Sequence, residues 1–130
     1  MSNYKFYLVI TLTCLLNIGS FAQKTKISFE VAGVCGMCEE RIENALDTKG
    51  ITYADWSQET KICQVTFNAS KITEKQIHQI VANVGHDTQK CRATDDSYKG
   101  LHQCCHYERA EEVKYQSLKP CCQYKRIYSE

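Results

Sequence analysis

Two cysteines near the start of the chain have the spacing of a metal-binding or redox pair. They are Cys35 and Cys38 in the stretch GVCGMCEERIENAL, where two residues separate them. Thiolates are the form of cysteine that binds metal, and the N-terminus of a helix favours them. Three interpretations follow from the pair alone: a redox couple, half of a four-ligand zinc site, or a two-thiolate site for a soft ion such as Cu(I) or Hg(II).

The elements around this pair predict an α+β fold. The first predicted helix begins near Cys38 and ends before Gly50. The second begins at a capping box formed by Thr73 and Gln76 and ends before Gly85. The predicted strands are residues 26–31, 53–58, 61–67 and 88–92. The order βαββαβ is typical of a ferredoxin-like sandwich, with a four-stranded antiparallel sheet and two helices on one face, here followed by a cysteine-rich tail.

The first 22 residues have the features of a secretory signal peptide. Lys5 precedes an apolar stretch, and small residues lead up to a suitable cleavage site after Ala22. The apolar stretch is short for a membrane anchor. We therefore expect a periplasmic or secreted protein that is not an integral membrane protein after processing. It would comprise a domain at residues 23–92 and a tail at residues 93–130.

The charge and composition exclude several classes of function. The whole chain has 16 basic and 15 acidic residues, so no basic surface for nucleic acid is expected. The sequence has no Ser/His/Asp grouping at a familiar spacing, no phosphate-binding glycine loop and no carboxylate pair that the fold singles out. We therefore predict that the protein is not an enzyme.

The remaining cysteines have several interpretations. Only Cys14 of the nine lies in the predicted signal peptide, and an even number in an oxidising compartment usually means disulfides. Cys63 falls on the apolar face of its strand, which predicts a core residue. Cys91 closes the domain, as either a disulfide partner or a free thiol.

The tail contains an internal repeat. The pattern Y-x-x-L-x-x-C-C-x-Y-x-R occurs at residues 98–109 and again at 115–126. The segment has too few apolar residues to form a core alone, so it must be flexible, docked on the domain or held by its cysteines. Adjacent cysteines rarely bond to each other, so we expect the two pairs to face one another. They would form either two disulfides or a second metal site for Zn(II) or several Cu(I), with help from His102 or His106. The cysteines concerned are Cys104, Cys105, Cys121 and Cys122.

Residues from about 26 to 91 resemble the heavy-metal-associated domain of small copper chaperones, metal-pumping ATPases and mercuric-ion-binding proteins. The resemblance rests on a strand that leads into GVCGMC, a following helix that ends at Gly50, a strand pair that ends at Phe67 and a loop with Gly85. It implies that Cys35 and Cys38 are the metal ligands. It also implies that the ion passes by ligand exchange to a thiol-bearing transport or efflux protein.

The sequence departs from this family at two positions. Members usually have methionine two places before the first cysteine, where this chain has Gly33, and Met37 lies between the cysteines instead. His86 stands in the loop after the second helix, where many members have tyrosine or phenylalanine. In this fold that loop approaches residues 33–38, which carry the cysteine pair and are called the metal loop below. His86 is therefore a candidate third ligand, with a solvated loop residue as the alternative. His78 is expected to be solvated.

The sequence thus predicts a protein that sequesters or transfers a soft metal ion, Cu(I) or Hg(II), through Cys35 and Cys38. Two alternatives remain open. A thiol-disulfide oxidoreductase would form an exchangeable bond between the same two residues. A disulfide-stapled interaction domain without a metal role would leave none of its thiols free.

Overall fold

The computed structural model describes residues 23–109. The predicted signal peptide, the second copy of the tail repeat, and Cys121 and Cys122 lie outside the described residues. Within residues 23–109, no helix has the length and apolar character to cross a membrane.

Three antiparallel strands form the sheet in the described part of the chain. They are β1 (Lys24–Glu30), β2 (Ile51–Trp56) and β3 (Ile62–Asn68), and β3 lies in the centre. Cys63, Val65 and Phe67 alternate along β3 and are buried on one face, because successive side chains of a strand point to opposite faces. The prediction that Cys63 is a core residue is therefore confirmed.

Two helices pack on the buried face of the sheet. They are α1 (Gly36–Leu46) and α2 (Glu74–Asn83). The capping box predicted at Thr73 and Gln76 is present at the start of α2, and it supplies partners for backbone N–H groups that the first turn leaves free. The helices and the sheet share one core. The α+β ferredoxin-like class predicted from the sequence is confirmed.

The predicted fourth strand is reduced to one bridge in the described residues. Val31 and Thr88 form an isolated antiparallel bridge beside β1. Beyond it the backbone turns, because Thr88 N–H donates to the carbonyl of Cys91 at 2.7 Å and Thr88 Oγ1 accepts from Cys91 N–H at 2.9 Å. Cys91 is also held in a disulfide. Local hydrogen bonds thus take the place of the ladder that residues 88–92 were expected to form.

His78 is buried, contrary to the prediction that it is solvated. It lies on the inner face of α2 with no exposed surface, and its ring centroid is 4.2 Å from that of Phe29. Its Nδ1 is 2.8 Å from Thr88 Oγ1. The hydrogen bond satisfies one ring nitrogen, so the apolar side of the ring can join the core.

The first part of the tail is docked on the domain. A short helix, α3 (Asp95–Lys99), and a 3-10 turn (Gln103–Cys105) follow the domain, and Leu101, Cys105 and Tyr107 are part of its core. Gly85 allows the docked segment to pass close to the loop after α2. It has a positive φ of 99°, and a Cβ there would lie 2.7 Å from the carbonyl oxygen of Ser97.

The residues that the two repeat copies share are the ones that dock the first copy. Tyr107 OH donates to the carbonyl of Gly85 at 2.9 Å and accepts from Asp87 N–H at 2.8 Å. Arg109 donates twice to the buried carboxylate of Asp87, each time at 2.9 Å. Tyr98 OH donates to the backbone carbonyl of Tyr107, and the Arg109 guanidinium lies 4.8 Å from the Tyr98 ring centre. Of the alternatives for the tail, residues 93–109 are docked.

Candidate metal centre

The two cysteines of GVCGMC lie at the start of α1. Cys35 is the N-cap residue in an extended conformation, and Cys38 lies in the first turn, fully buried. Cys38 N–H donates to the carbonyl of Cys35 at 2.9 Å, and Val34 N–H points to Cys38 Sγ at 3.4 Å. The backbone N–H groups of Cys38 and Met37 also form hydrogen bonds with Cys35 Sγ. Both sulfur atoms are therefore close to backbone N–H groups and to the positive end of the helix dipole, which favour thiolates.

Trp56, at the end of β2, supports the loop that carries these cysteines. Its indole is 1% exposed, and its Nε1–H donates to the carbonyl of Val31 at 3.2 Å. A Cβ at Gly33 would lie 2.9 Å from two carbons of the same ring. Because the indole fills the space beside residue 33, glycine fits where the resemblance led us to expect methionine.

A third thiol comes from the docked tail. Cys35 Sγ is 3.7 Å from Cys38 Sγ and 3.8 Å from Cys105 Sγ, and the three sulfur atoms all lie within 4.8 Å of one another. Metal–sulfur bonds of about 2.3 Å place three sulfurs around one ion about 4 Å apart. The spacing therefore suits a three-coordinate soft ion.

Cys104 lies on the outer side of this triad and is exposed. Its sulfur is 3.6 Å from Cys35 Sγ and 3.9 Å from Cys105 Sγ. It also donates to Met37 Sδ at 3.4 Å and lies 3.2 Å from His102 Nδ1. Among the described residues, four thiols, one thioether and one imidazole thus meet at the N-terminus of α1.

The thiols differ in their tendency to ionise. Desolvation raises the pKa of Cys35, but hydrogen bonds from the backbone N–H groups of Cys38 and Met37 and from neighbouring thiols outweigh it and lower the pKa to about 7. Burial and the neighbouring Cys38 and Cys35 raise the pKa of Cys105 well above its usual range. Cys35 is therefore the thiol best placed to meet an arriving ion, since the thiolate is the ligand.

His86 lies beside the three sulfur atoms and is not one of the side chains that converge with them. It is fully buried, its Nδ1 is 2.8 Å from the carbonyl oxygen of Ala32, and its ring stacks against Tyr107 at 5.9 Å. Burial lowers the pKa of His86. Among the described residues, the group of side chains close enough to share an ion contains cysteines only, and Cys105 occupies the place for which His86 was a candidate.

The structure brings the first tail pair to the first site. We predicted that Cys104 and Cys105 would face Cys121 and Cys122, in disulfides or in a separate metal site. Both members of the first pair are free thiols next to Cys35, so the disulfide alternative does not hold for them. The physical reason is the docking through Leu101 and Tyr107, which places the adjacent cysteines over the metal loop.

Residues 28–87 match the family model of the heavy-metal-associated domain. A putative copper-ion-binding protein from Bacillus anthracis str. Ames has a similar structure, with 24% identity and a TM-score of 0.50 over 52% of this chain and 99% of that one. The structure of CopZ metallochaperone has 29% identity and a TM-score of 0.48, over 49% of this chain and 98% of that one. The structure of oxidized MerP from Ralstonia metallidurans CH34 has 22% identity and a TM-score of 0.49, over 51% of this chain and 94% of that one. None of the curated proteins matches this chain.

The match defines the class of the domain. Residues 28–87 form a heavy-metal-associated domain, and the Bacillus anthracis structure shows the same fold. The expected resemblance is confirmed, and with the three convergent thiols it supports heavy-metal binding or transfer. The matched region ends at residue 87, so Cys104 and Cys105 are contributed by the chain beyond it.

Proposed function

We propose that this protein binds a soft metal ion, Cu(I) or Hg(II), through the thiolates of Cys35, Cys38 and Cys105, and sequesters it or hands it on. The convergence of three sulfur atoms within 4.8 Å carries the proposal. Soft thiolate ligands select ions of this type. The function requires ligand exchange only, and no catalysed reaction.

The burial of the three sulfurs supports tight binding of an ion on the side of Cys38 and Cys105, and exchange of the ion with another protein on the side of Cys35. Cys38 and Cys105 have no exposed surface, so they hold an ion away from water. Cys35 is half-buried, and Val34 and Met37 beside it are 41% and 46% exposed. An incoming thiol from a transport or efflux protein would therefore approach along the Cys35 side. The predicted signal peptide supports a periplasmic or secreted location for this exchange.

A second candidate, thiol-disulfide exchange, has one observation in its favour. The pKa of Cys35 is lowered to about 7, and Cys38 Sγ lies 3.7 Å from it. A nucleophilic thiolate next to a second thiol is the arrangement that redox proteins use. The metal proposal is preferred because Cys105 adds a third donor, for which a two-thiol exchange has no use.

The test is native mass spectrometry of the protein, prepared without oxygen and titrated with Cu(I), Hg(II) and Zn(II). We expect the wild type to bind a soft ion that the Cys35→Ser/Cys38→Ser variant loses. Cys63→Ala is the matched control, because it removes a buried thiol of β3 that is not among the converging sulfur atoms, and it should keep the ion. Equal uptake by the double variant and the wild type would refute the proposal. Reduction of a disulfide substrate by metal-free protein would favour the second candidate.

A further inference from the structure

We propose that the centre holds two Cu(I) ions rather than one, with an outer ion bound by Cys104, Met37 and His102 and with Cys35 shared between the two. The inference rests on the proposed function, since it extends the same centre. Its basis is the set of donor atoms that lie outside the Cys35, Cys38 and Cys105 triad.

The outer donors surround Cys104. The distances from its sulfur are 3.4 Å to Met37 Sδ, 3.2 Å to His102 Nδ1 and 3.6 Å to Cys35 Sγ. Donor atoms around one four-coordinate ion are about 3.8 Å apart when the bonds are about 2.3 Å long. A small outward movement of these exposed side chains is thus enough to admit an ion.

The local backbone holds these donors in place. His102 is the N-cap of the 3-10 turn, and Cys104 N–H donates to its Nδ1 at 3.5 Å, a hydrogen bond that an ion bound at Nδ1 would replace. Met37 lies in the first turn of α1, directly between the two cysteines of the loop. The two elements meet because the tail docks, so that one side of the outer site comes from the metal loop and the other from the 3-10 turn.

The chemistry of the donors selects Cu(I). Thiolate and thioether are soft ligands that favour Cu(I), and imidazole is also a ligand for copper. The inner triad leaves excess negative charge around a single univalent ion, because each thiol loses its proton to solvent when it binds. A second Cu(I) on the outer side of Cys35 is attracted by that charge. A thiolate has several lone pairs, so Cys35 can bridge the two ions.

The structure separates the roles of the two adjacent cysteines. Cys105 is fully buried and completes the inner triad, whereas Cys104 is exposed and reaches Met37 and His102. The outer ion is therefore the one that solvent and a partner reach first. It is expected to be the more weakly bound, and the first to leave.

The experiment compares the full chain with a Met37→Leu/His102→Ala/Cys104→Ser variant during Cu(I) titration without oxygen. Native mass spectrometry should show one Cu(I) fewer per chain in the variant, while the first binding step is unchanged. X-ray absorption at the copper edge should show a copper–copper contribution in the wild type that the variant lacks. Since all three side chains are exposed, the variant should keep the circular dichroism spectrum of the wild type.

His106→Ala is the matched control. His106 is exposed on the same turn, and its ring stacks on Tyr98 rather than on a sulfur atom, so this variant should bind as many ions as the wild type. If the triple variant has the copper stoichiometry and copper–copper signal of the wild type, the outer site is refuted and the proposed function stands. If the wild type binds no Cu(I) or Hg(II), the proposed function itself fails.

Discussion

At the residue scale, the decisive side chain is Cys105. It comes from outside the matched domain, yet it lies 3.8 Å from Cys35 and has no exposed surface. Its buried position means that an ion it binds is shielded from water on that side, where electrostatic attraction to a thiolate is less screened. In the proposed function, this third thiol turns an open pair of thiols into a partly closed centre.

The first prediction concerns this third ligand. Cys105→Ser should weaken the binding of the first Cu(I) by at least about tenfold, because a hydroxyl is a harder donor than a thiolate. Competition with a chromogenic Cu(I) chelator measures the affinity. Cys104→Ser is the paired control and should leave the first binding step unchanged. An equal loss of affinity in both variants would contradict the assignment of Cys105 to the inner triad.

The second prediction concerns His78 and acid stability. Burial, reinforced by Lys90, lowers the pKa of His78 from 6.5 to about 4, against the opposing effect of Glu74. The unfolded chain therefore binds a proton that the folded chain does not. The contribution of neutral His78 to the free energy of unfolding is fully present above about pH 6.5. It falls by up to about 3 kcal/mol as the pH is lowered towards 4.

Urea unfolding of the metal-free protein at several pH values between 7 and 4 measures this loss. His78→Gln keeps a hydrogen-bonding group near Thr88 and cannot take up the proton, so its free energy of unfolding should depend less on pH in this range. Parallel curves for the two proteins would show that His78 does not contribute.

At the scale of the elements, the metal loop depends on the end of β2. Trp56 lies under the loop, and its backbone N–H donates to Glu43 Oε1 of α1 at 3.0 Å. Its ring occupies the space that a side chain at residue 33 would need. The loop, the first helix and the second strand are therefore fitted to one another, and a change in any of them moves the thiols.

The third prediction tests this fit. Gly33→Ala should lower the free energy of unfolding by about 1–3 kcal/mol, because the new methyl group meets the Trp56 ring. Gly36→Ala is the matched control, since nothing lies within 4 Å of a Cβ at that position. Alanine at the start of α1 should be neutral or slightly stabilising there. Chemical denaturation of both variants gives the comparison, and equal stability would count against the proposed contact.

The sequence predicts the elements well and the assembled centre only in part. Periodicity and the capping box locate β1, β3, α1 and α2, because these signals are local. Local hydrogen bonds around Thr88 replace most of the predicted fourth strand. The burial of His78 depends on its hydrogen bond to Thr88, which the helical pattern does not predict. The sequence led us to group Cys105 with Cys121 and Cys122, whereas its sulfur lies 3.8 Å from Cys35 Sγ. A resemblance that ends near residue 91 says nothing about where the tail docks. The tyrosines and Leu101 of the repeat were the available sequence signal that the tail docks on the domain.

At the scale of the whole molecule, the ion pairs of Arg109 secure the docked part of the tail. Asp87 is 4% exposed and accepts hydrogen bonds from Arg109 and from Ala93 N–H. Arg109 also reaches Asp95 in α3 at 2.8 Å. Because a bidentate, partly buried pair needs both partners, this contact connects the end of the docked segment to the loop after α2.

The fourth prediction follows from this connection. Arg109→Ala leaves a buried carboxylate without its cation and should reduce the free energy of unfolding by roughly 3 kcal/mol. It should also lower the affinity for the first Cu(I), because Cys105 loses its anchor. Arg109→Lys should show a smaller effect, since lysine keeps the charge without the paired geometry. Lys99→Ala, at an exposed residue of α3, controls for the loss of one positive charge and should behave like the wild type.

The separation of the ligands along the chain gives the centre an order in time. Cys35 and Cys105 are 70 residues apart, and a protein emerges during synthesis from its N-terminus. During synthesis or export, Cys35 and Cys38 therefore appear as an open pair before the third sulfur follows. In the proposed function, an ion captured by this pair is held by two sulfurs, and it is enclosed only when the docked segment has folded over it.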